Sequence, residues 1–490
     1  MSILRPVSLL IAVSLSFATN LRAQYGTFKT ENVKTSSNAQ LREPDWKAIE
    51  EETMQYFQSL VQINTSNPPG NETLVVDYLK KILEKENIEV KTFSLDPMHS
   101  NLVARIKGNG KKRPLLLMGH TDVVTVDSSK WIYPPFSAAR KDGYVYGRGT
   151  LDDKPHVVAG LITLLILKRM DVKLDRDIIF LAESGEEGTT RTGIEYIVNE
   201  YWPEIDAEYC FAEGGAIVRK DGKVQFGAVA TTEKVPIHVK LVSTGISGHG
   251  SVPLRSNAIV HLSNAVAKVA AWRTPMRLNE TTTAFFKRLA EASNPDEAAR
   301  YRALISEANT DSVQEYLAVN NPRYYSILRT SISPNIIKGG YRFNVIPSEA
   351  EATLDIRALP DEDVPKFLET MKQIVNDPQI EIVKTDTGTV RPSSKPSDLN
   401  TEAFKSIETA LKKHYNTVAL PTMITAGTDM AFLRARGVQC YGIGPLVDSE
   451  DGPKGFGAHS DQERILEESL HRFIRFQWDV IKELAFQSKK

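Results

Sequence analysis

The chain has 490 residues, with 60 Lys and Arg against 61 Asp and Glu and a formal net charge of -1. That length exceeds one ordinary hydrophobic core, so two domains, or one domain with a large insertion, are expected. The balanced charge gives no global basic field to attract nucleic acid or anionic membrane, which leaves any charged chemistry to local clusters.

Arg5 precedes the apolar stretch VSLLIAVSLSFA at 7–18, followed by small residues and LRAQ. This is the layout of a secretory signal peptide over 1–23, implying an exported protein, periplasmic or secreted. The apolar core is short for a membrane span and no later segment is long enough, so no stable span is expected. Residues 24–43 are polar and irregular, a flexible leader. The two cysteines, Cys210 and Cys440, both lie in apolar strand-like runs. Their pairing is left open, as a disulfide or as two buried thiols.

From residue 44, short apolar strands alternate with helical stretches. NLVARI, PLLLMG, DIIFLA and AEYCFA read as strands; 45–60, 72–86 and 155–170 read as helices. The alternation predicts an α/β fold, a mainly parallel twisted sheet covered by helices. Its first part is expected over 44–232. The texture then changes. VPIHVKLVST alternates like a strand, 256–272 reads as a long amphipathic helix, and a polar helical stretch covers 278–320. The strand EAEATLDIRAL, a helix over 363–375 and the strand IEIVKT complete an inserted α+β domain, 233–386. The α/β pattern returns over 387–490 and ends in a helix at 461–486.

Five features could carry chemistry. LLLMGHTDVV ends a buried strand with His120 and Asp122, placed so that the acid can accept one ring proton and leave the other nitrogen for a metal. YGRGTLDDKP sets Asp152 and Asp153 just before a helix, and its glycine spacing fits neither a phosphate loop nor a dinucleotide fingerprint. AESGEEGT puts Glu186 and Glu187 side by side at a strand's end. Glu213 in CFAEGG and His459 in GFGAHSDQER follow. Taken singly, each fits a solvated pair, a helix cap or turn chemistry. Taken together, His120, Asp152, Glu186, Glu187, Glu213 and His459 supply the nitrogen and oxygen donors of a catalytic zinc site, and no cysteine joins them to make a structural zinc knot. A serine nucleophile elbow is absent, because GISGHG has His249 where the second glycine belongs.

MGHTDVV, GRGTLDDK, ESGEEGT and AHS, in this order and spacing, resemble the di-zinc carboxypeptidase and aminoacylase family. That family includes carboxypeptidase G, carboxypeptidase S, aminoacylase-1 and succinyl-diaminopimelate desuccinylase. The similarity runs from about residue 45 to the C-terminus. Extra length around 276–330 and the wording GRGTLDDK and EGG look closest to the carboxypeptidase S branch.

The resemblance implies two Zn²⁺ per subunit, which Co²⁺ or Mn²⁺ can replace. It gives His120 and Glu213 to one ion, His459 and Glu187 to the other, and Asp152 to both. Asp122 would orient His120 and Glu186 would be the general base; the Asp152–Asp153 peptide bond would be cis. The inserted domain would be a lid and dimerisation domain of a homodimer, its His249 reaching a neighbouring active site. Asn344, Arg357, Gly427 and Thr428 match substrate-binding positions. Arg357 suits a fork-like grip on a carboxylate, or else pairs with Asp355 or Asp429. Pro155 stands where the family commonly has glycine, a substitution the first turn of a helix accepts.

The expected activity is cleavage of an amide next to a free carboxylate, in a peptide's C-terminal residue, a dipeptide or an N-acyl amino acid. Aminopeptidase or deacetylase specificity is the alternative within the class. A non-catalytic metal-dependent binding protein is the alternative outside it, and would have no use for Glu186 as a base.

Overall fold

The computed structural model describes residues 43–307, 310–385 and 391–487. The expected signal peptide, and the leader up to residue 42, lie outside them. Among the described residues no helix is long and apolar enough to cross a membrane.

The uninterrupted apolar runs become the centre of a ten-stranded sheet. Ile178–Glu183, Leu115–His120, Tyr209–Ala212 and Gln439–Gly442 lie side by side and parallel. The first two are buried at every position, as strands with helices on both faces must be. An antiparallel hairpin, Glu89–Asp96 with His99–Ile106, closes one edge. Toward the other edge Lys223–Glu233 runs antiparallel to Gln439–Gly442, and beside it lie Ala216–Lys220, Leu446–Asp448 and Ala419–Ile424.

Each face has its own core. Alternate side chains Leu115, Leu117, Ile178 and Phe180 meet the helices Trp46–Gln62, Lys154–Arg169, Glu402–Tyr415 and Glu467–Ala485. Their neighbours Leu116, Met118, Ile179 and Leu181 meet Ile194–Glu200 and Met430–Ala435. Cys210 and Cys440 are register partners on adjacent parallel strands within this second core, both buried free thiols.

A separate four-stranded antiparallel sheet has the order Ser331–Gly339, Glu349–Ala358, Val235–Thr244, Ile380–Lys384. Strict alternation gives it one apolar face, covered by the helices Ala258–Ala271 and Val364–Val375. Ser331–Gly339 is an edge strand that leaves Ile336 and Ile337 exposed, as are Tyr341 and Phe343 beyond it. The polar helical stretch is found as Glu280–Ala292, Pro295–Ile305, Thr310–Asn320 and Pro322–Ser326. Phe285, Phe286 and Leu317 there pack with Leu420 and Met423 of the large sheet, so these helices serve that sheet rather than the small one.

Candidate metal and catalytic site

Parallel strands deliver their carboxyl ends to one rim of the large sheet, where α/β folds place ligands. His120 ends one strand and Glu183, its register partner, ends the next. Glu186 and Glu187 follow in the loop after Glu183; Glu213 follows Tyr209–Ala212; Asp152 stands just before the helix Lys154–Arg169; His459 comes from the loop before Arg464–Leu466. Residues up to 339 positions apart thus converge.

Asp152 uses both carboxylate oxygens: Oδ1 lies 2.9 Å from His120 Nε2 and Oδ2 lies 3.2 Å from His459 Nε2. His459 Nε2 is also 2.7 Å from Glu187 Oε1. Donor atoms of His120, Asp152 and Glu187 lie within 4.8 Å of one another, as do those of His120, Glu186 and Glu213. Every metal residue expected from the sequence is therefore at one place. Glu186 sits in the same cluster, next to His120 and Glu213.

Asp122 does more than face a histidine. His120 Nδ1 lies 3.0 Å from the Asp122 carbonyl oxygen and 3.4 Å from its carboxylate. The carboxylate, fully buried, accepts the backbone N–H of Glu186 at Oδ1 (3.1 Å) and that of Glu187 at Oδ2 (3.0 Å). Asn67, just before two cis prolyl bonds, donates its side-chain amide to the same Oδ2 at 3.0 Å. One acid thus fixes the histidine strand to the paired acids.

Glu463 plays the matching part for Asp152. Buried itself, it accepts Arg148 Nη1 (2.7 Å) and the backbone N–H groups of Gly149 (3.0 Å), Leu151 (2.6 Å) and Asp152 (3.2 Å). The Asp152–Asp153 peptide bond is cis. Asp153 accepts the His120 N–H at 3.3 Å and is hydrogen bonded to His156.

The residues expected to bind substrate come from other elements. His249 is exposed on Gly248–His249, with Nδ1 accepting the Ser251 N–H at 3.1 Å. Asn344, adjoining the partner strand Val345–Ile346, has a buried Oδ1 without a partner among the described residues. Arg357 points from the open face of its strand, away from the apolar core, and its fork is filled by Asp355 at 2.8 and 3.1 Å. Thr428 donates to Glu233 at 2.6 Å. Gly427 lies under the stem of Arg391, a residue the motifs had not singled out.

Electrostatics explain what such a cluster asks for. Burial pushes the Glu186 carboxyl well above the usual range, with Arg391 pulling it back; burial and the neighbouring Asp152 and Glu186 carboxylates push Glu213 up as well. Asp152 goes the other way: against its burial, hydrogen bonds with His120 and His459 hold it well below the ordinary carboxylate range. Those acids in turn raise His459 to about 10, through Asp152 first and Glu187 next. His120 is raised despite its burial, by Asp122 and Asp152. A nest of acids that holds protons on two imidazoles is a nest that welcomes a cation, and its nitrogen and oxygen donors, with no sulfur, suit a borderline divalent metal at a catalytic site.

An α/β sheet with this donor set at its carboxyl rim defines a metallohydrolase. The model of peptidase family M20/M25/M40 matches residues 116–483, and the chain belongs to that family of metallopeptidases and amidohydrolases. A probable carboxypeptidase S-like 2 of Dictyostelium discoideum is 29% identical over 381 residues, covering 76% of this chain and 71% of that one. The human N-fatty-acyl-amino acid synthase/hydrolase PM20D1 is 28% identical over 383 residues, covering 76% and 74%. Among solved structures, the M20 family metallo-carboxypeptidase Sso-CP2 of Sulfolobus solfataricus superposes with a TM-score of 0.65 at 20% identity, over 88% of this chain and 99% of that one. The mixed α/β architecture expected from the sequence is the architecture of this family.

Proposed function

We propose that the protein is an exported di-zinc amidohydrolase that cuts an amide next to a free carboxylate, in an N-acyl amino acid, a dipeptide or a peptide's C-terminal residue. The observation that carries this is the pair Glu186 and Glu187, whose backbone N–H groups share the single carboxylate of Asp122. Two adjacent acids are thereby held in fixed, different directions: Glu187 toward His459, Glu186 toward Arg391.

In this reading His120 and Glu213 hold one divalent ion, His459 and Glu187 the other and Asp152 both; bound there, the ions would polarise the substrate carbonyl and acidify a water. Glu186 takes the proton of the attacking water and returns it to the leaving nitrogen. Its carboxyl, in the same cluster as His120 and Glu213, is placed to serve both halves of that transfer. Asp122 and Asn67 keep the Glu186 backbone still, and Glu463 does the same for Asp152.

The substrate side falls to Asn344, Arg357, Gly427 and Thr428, with His249 donated by a second subunit. The small sheet with its two covering helices would be the lid and dimerisation unit, carried in the 233–386 insertion; 44–232 with 387–490 would be the catalytic domain, against which the helices within 280–326 pack. The exposed edge strand with Ile336 and Ile337, and the exposed Ile259 and Val260 on the neighbouring helix, support a homodimer through this unit. The apolar stretch at 7–18 supports export. The human relative's action on N-fatty-acyl amino acids and the carboxypeptidase-like Dictyostelium relative favour an acid-bearing substrate.

A metal assay of the purified protein, with kinetics on a panel of N-acyl amino acids, dipeptides and their amidated twins, tests the proposal. Two metals per subunit and selective cleavage of the acids are expected. Turnover of amino-terminal peptide bonds or acetylated amines alone would redirect it to an aminopeptidase or deacetylase.

A further inference from the structure

Arg391 is mostly buried, with 13% of its side chain exposed, yet no motif had marked it. Its Nη2 donates to the carboxylate of Glu186 and, at 3.1 Å, to Oδ1 of Asp429. The Nε of Arg391 and the Oδ2 of Asp429 are both buried without a hydrogen-bond partner among the described residues. The stem of Arg391 runs across Gly427, where a Cβ would come within 2.7 Å of its Cδ and 3.4 Å of Pro236 Cγ. A glycine at 427 is therefore what lets this guanidinium reach the rim.

The location fits a substrate's chemistry. An N-acyl amino acid has a single carbon between its amide nitrogen and its carboxylate. A group that grips that carboxylate must stand beside the group that returns a proton to the nitrogen. Arg391 stands beside Glu186. Asp429 holds the guanidinium in place through one oxygen, so Arg391 stays anchored when Glu186 turns to the water. Arg357 commits both Nε and Nη2 to Asp355, whereas Glu186 and Asp429 are both met by Nη2 of Arg391, whose Nε has no partner among the described residues.

We propose that Arg391 receives the free carboxylate of the substrate and sets the enzyme's preference for acids over amides, an assignment that rests on the amide chemistry proposed above. The partner is any small carboxylate one carbon away from the scissile nitrogen. A bidentate, charge-assisted contact of this kind corresponds to about 10–100-fold in kcat/KM.

The test compares kcat/KM for one N-acyl amino acid and its carboxamide on metal-loaded wild type, Arg391→Gln, Arg391→Lys and Arg357→Lys. The acid-to-amide ratio is expected to fall about 10–100-fold in Arg391→Gln, chiefly through KM for the acid. Arg391→Lys keeps the charge without the fork and is expected to fall between; it carries the comparison if the glutamine variant does not fold. A purely structural role would lower both substrates together and leave the ratio intact, which would overturn the proposal. So would a wild-type preference that survives both Arg391 variants and disappears in Arg357→Lys. A wild type that cleaves acid and amide alike would instead overturn the substrate reading itself.

Discussion

The two sheets handle charge in opposite ways. In the large sheet, parallel strands send His120, Glu183 and the acids after them to one rim, where carboxylates outnumber the cations that face them. In the small sheet, charges are neutralised by close neighbours on the open face: Arg357 with Asp355 two residues away, Lys240 with Glu351 across the ladder. Its edge strand also leaves Ile336 and Ile337 exposed, beside the polar Asn335 and Lys338. Parallel connectivity concentrates unmatched charge in one place and so invites a cation and a reaction. Antiparallel alternation spends its charges locally and leaves a face and an edge suited to contact.

The sharpest way to break this contrast lies at the rim. Glu186→Gln should keep its metal while kcat falls by ~10²–10⁴-fold, the usual contribution of a general base. Glu187→Gln should lose metal instead. Metal analysis beside kinetics on both proteins decides; metal loss confined to the Glu186 variant would exchange their roles.

The next test asks whether the inserted unit that carries the small sheet takes part in the chemistry. If His249 stabilises charge at a partner's site, His249→Ala should cost ~10²–10³-fold in kcat, the scale of one lost oxyanion donor. Mixing it with Glu186→Gln under subunit exchange should restore part of the activity, because one composite site then has both groups intact. Zero recovery in verified heterodimers would show that His249 does not act across subunits.

A smaller effect is expected behind the rim. Glu463→Gln leaves three backbone N–H groups and Arg148 with a weaker acceptor, so the turn carrying Asp152 loosens. Supporting residues of metal sites typically contribute 10–100-fold in affinity, and chelator titration of the variant measures it. An unchanged affinity would show that the turn holds itself.

Least of all should change at the junction between the sheets. Lys234, buried, donates to the Ser326 carbonyl (2.9 Å) and to the Ser331 hydroxyl (2.8 Å), and burial with Arg357 and Arg329 nearby lowers it to about 7. Between that value and an unfolded lysine's range the unfolded chain holds a proton the folded one lacks. The penalty is present below about 7 and lifts as pH rises, so unfolding free energy should grow over that window. Denaturation at pH 7 and 9 should show wild type gaining more than Lys234→Met; equal gains would mean that Lys234 stays charged when buried.

The sequence displayed the candidate ligands and concealed their supports. His120, Glu187 and Glu213 were legible because buried strands end visibly, and a polar residue there stands out against the apolar run before it; Asp152 and His459 were legible only as polar residues in glycine-bearing turns, and the motif set joined them to the rest. The long helical stretch was legible as helix, yet not its packing on Leu420 and Met423, since amphipathic spacing says which face is buried and not against what. Asn67, Glu463 and Arg391 act across 55, 311 and 205 residues respectively. Asn67 had a local sign in the Asn-Pro-Pro-Gly run and Glu463 in its nearness to His459; Arg391, after a strand, had none. Arg357 is the instructive ambiguity: the alternation identified an arginine in need of an anion, and Asp355 on its own strand is the anion it holds.

Cys210 and Cys440 sit at the middle of all this, side by side on the central strands and sealed from solvent. They lie where only opening of the large sheet's core would admit a reagent. Alkylation of the native protein should therefore be as slow as that opening, and the two thiols should react together once it occurs. The chain carries its own clock for the unfolding of the sheet that holds the site.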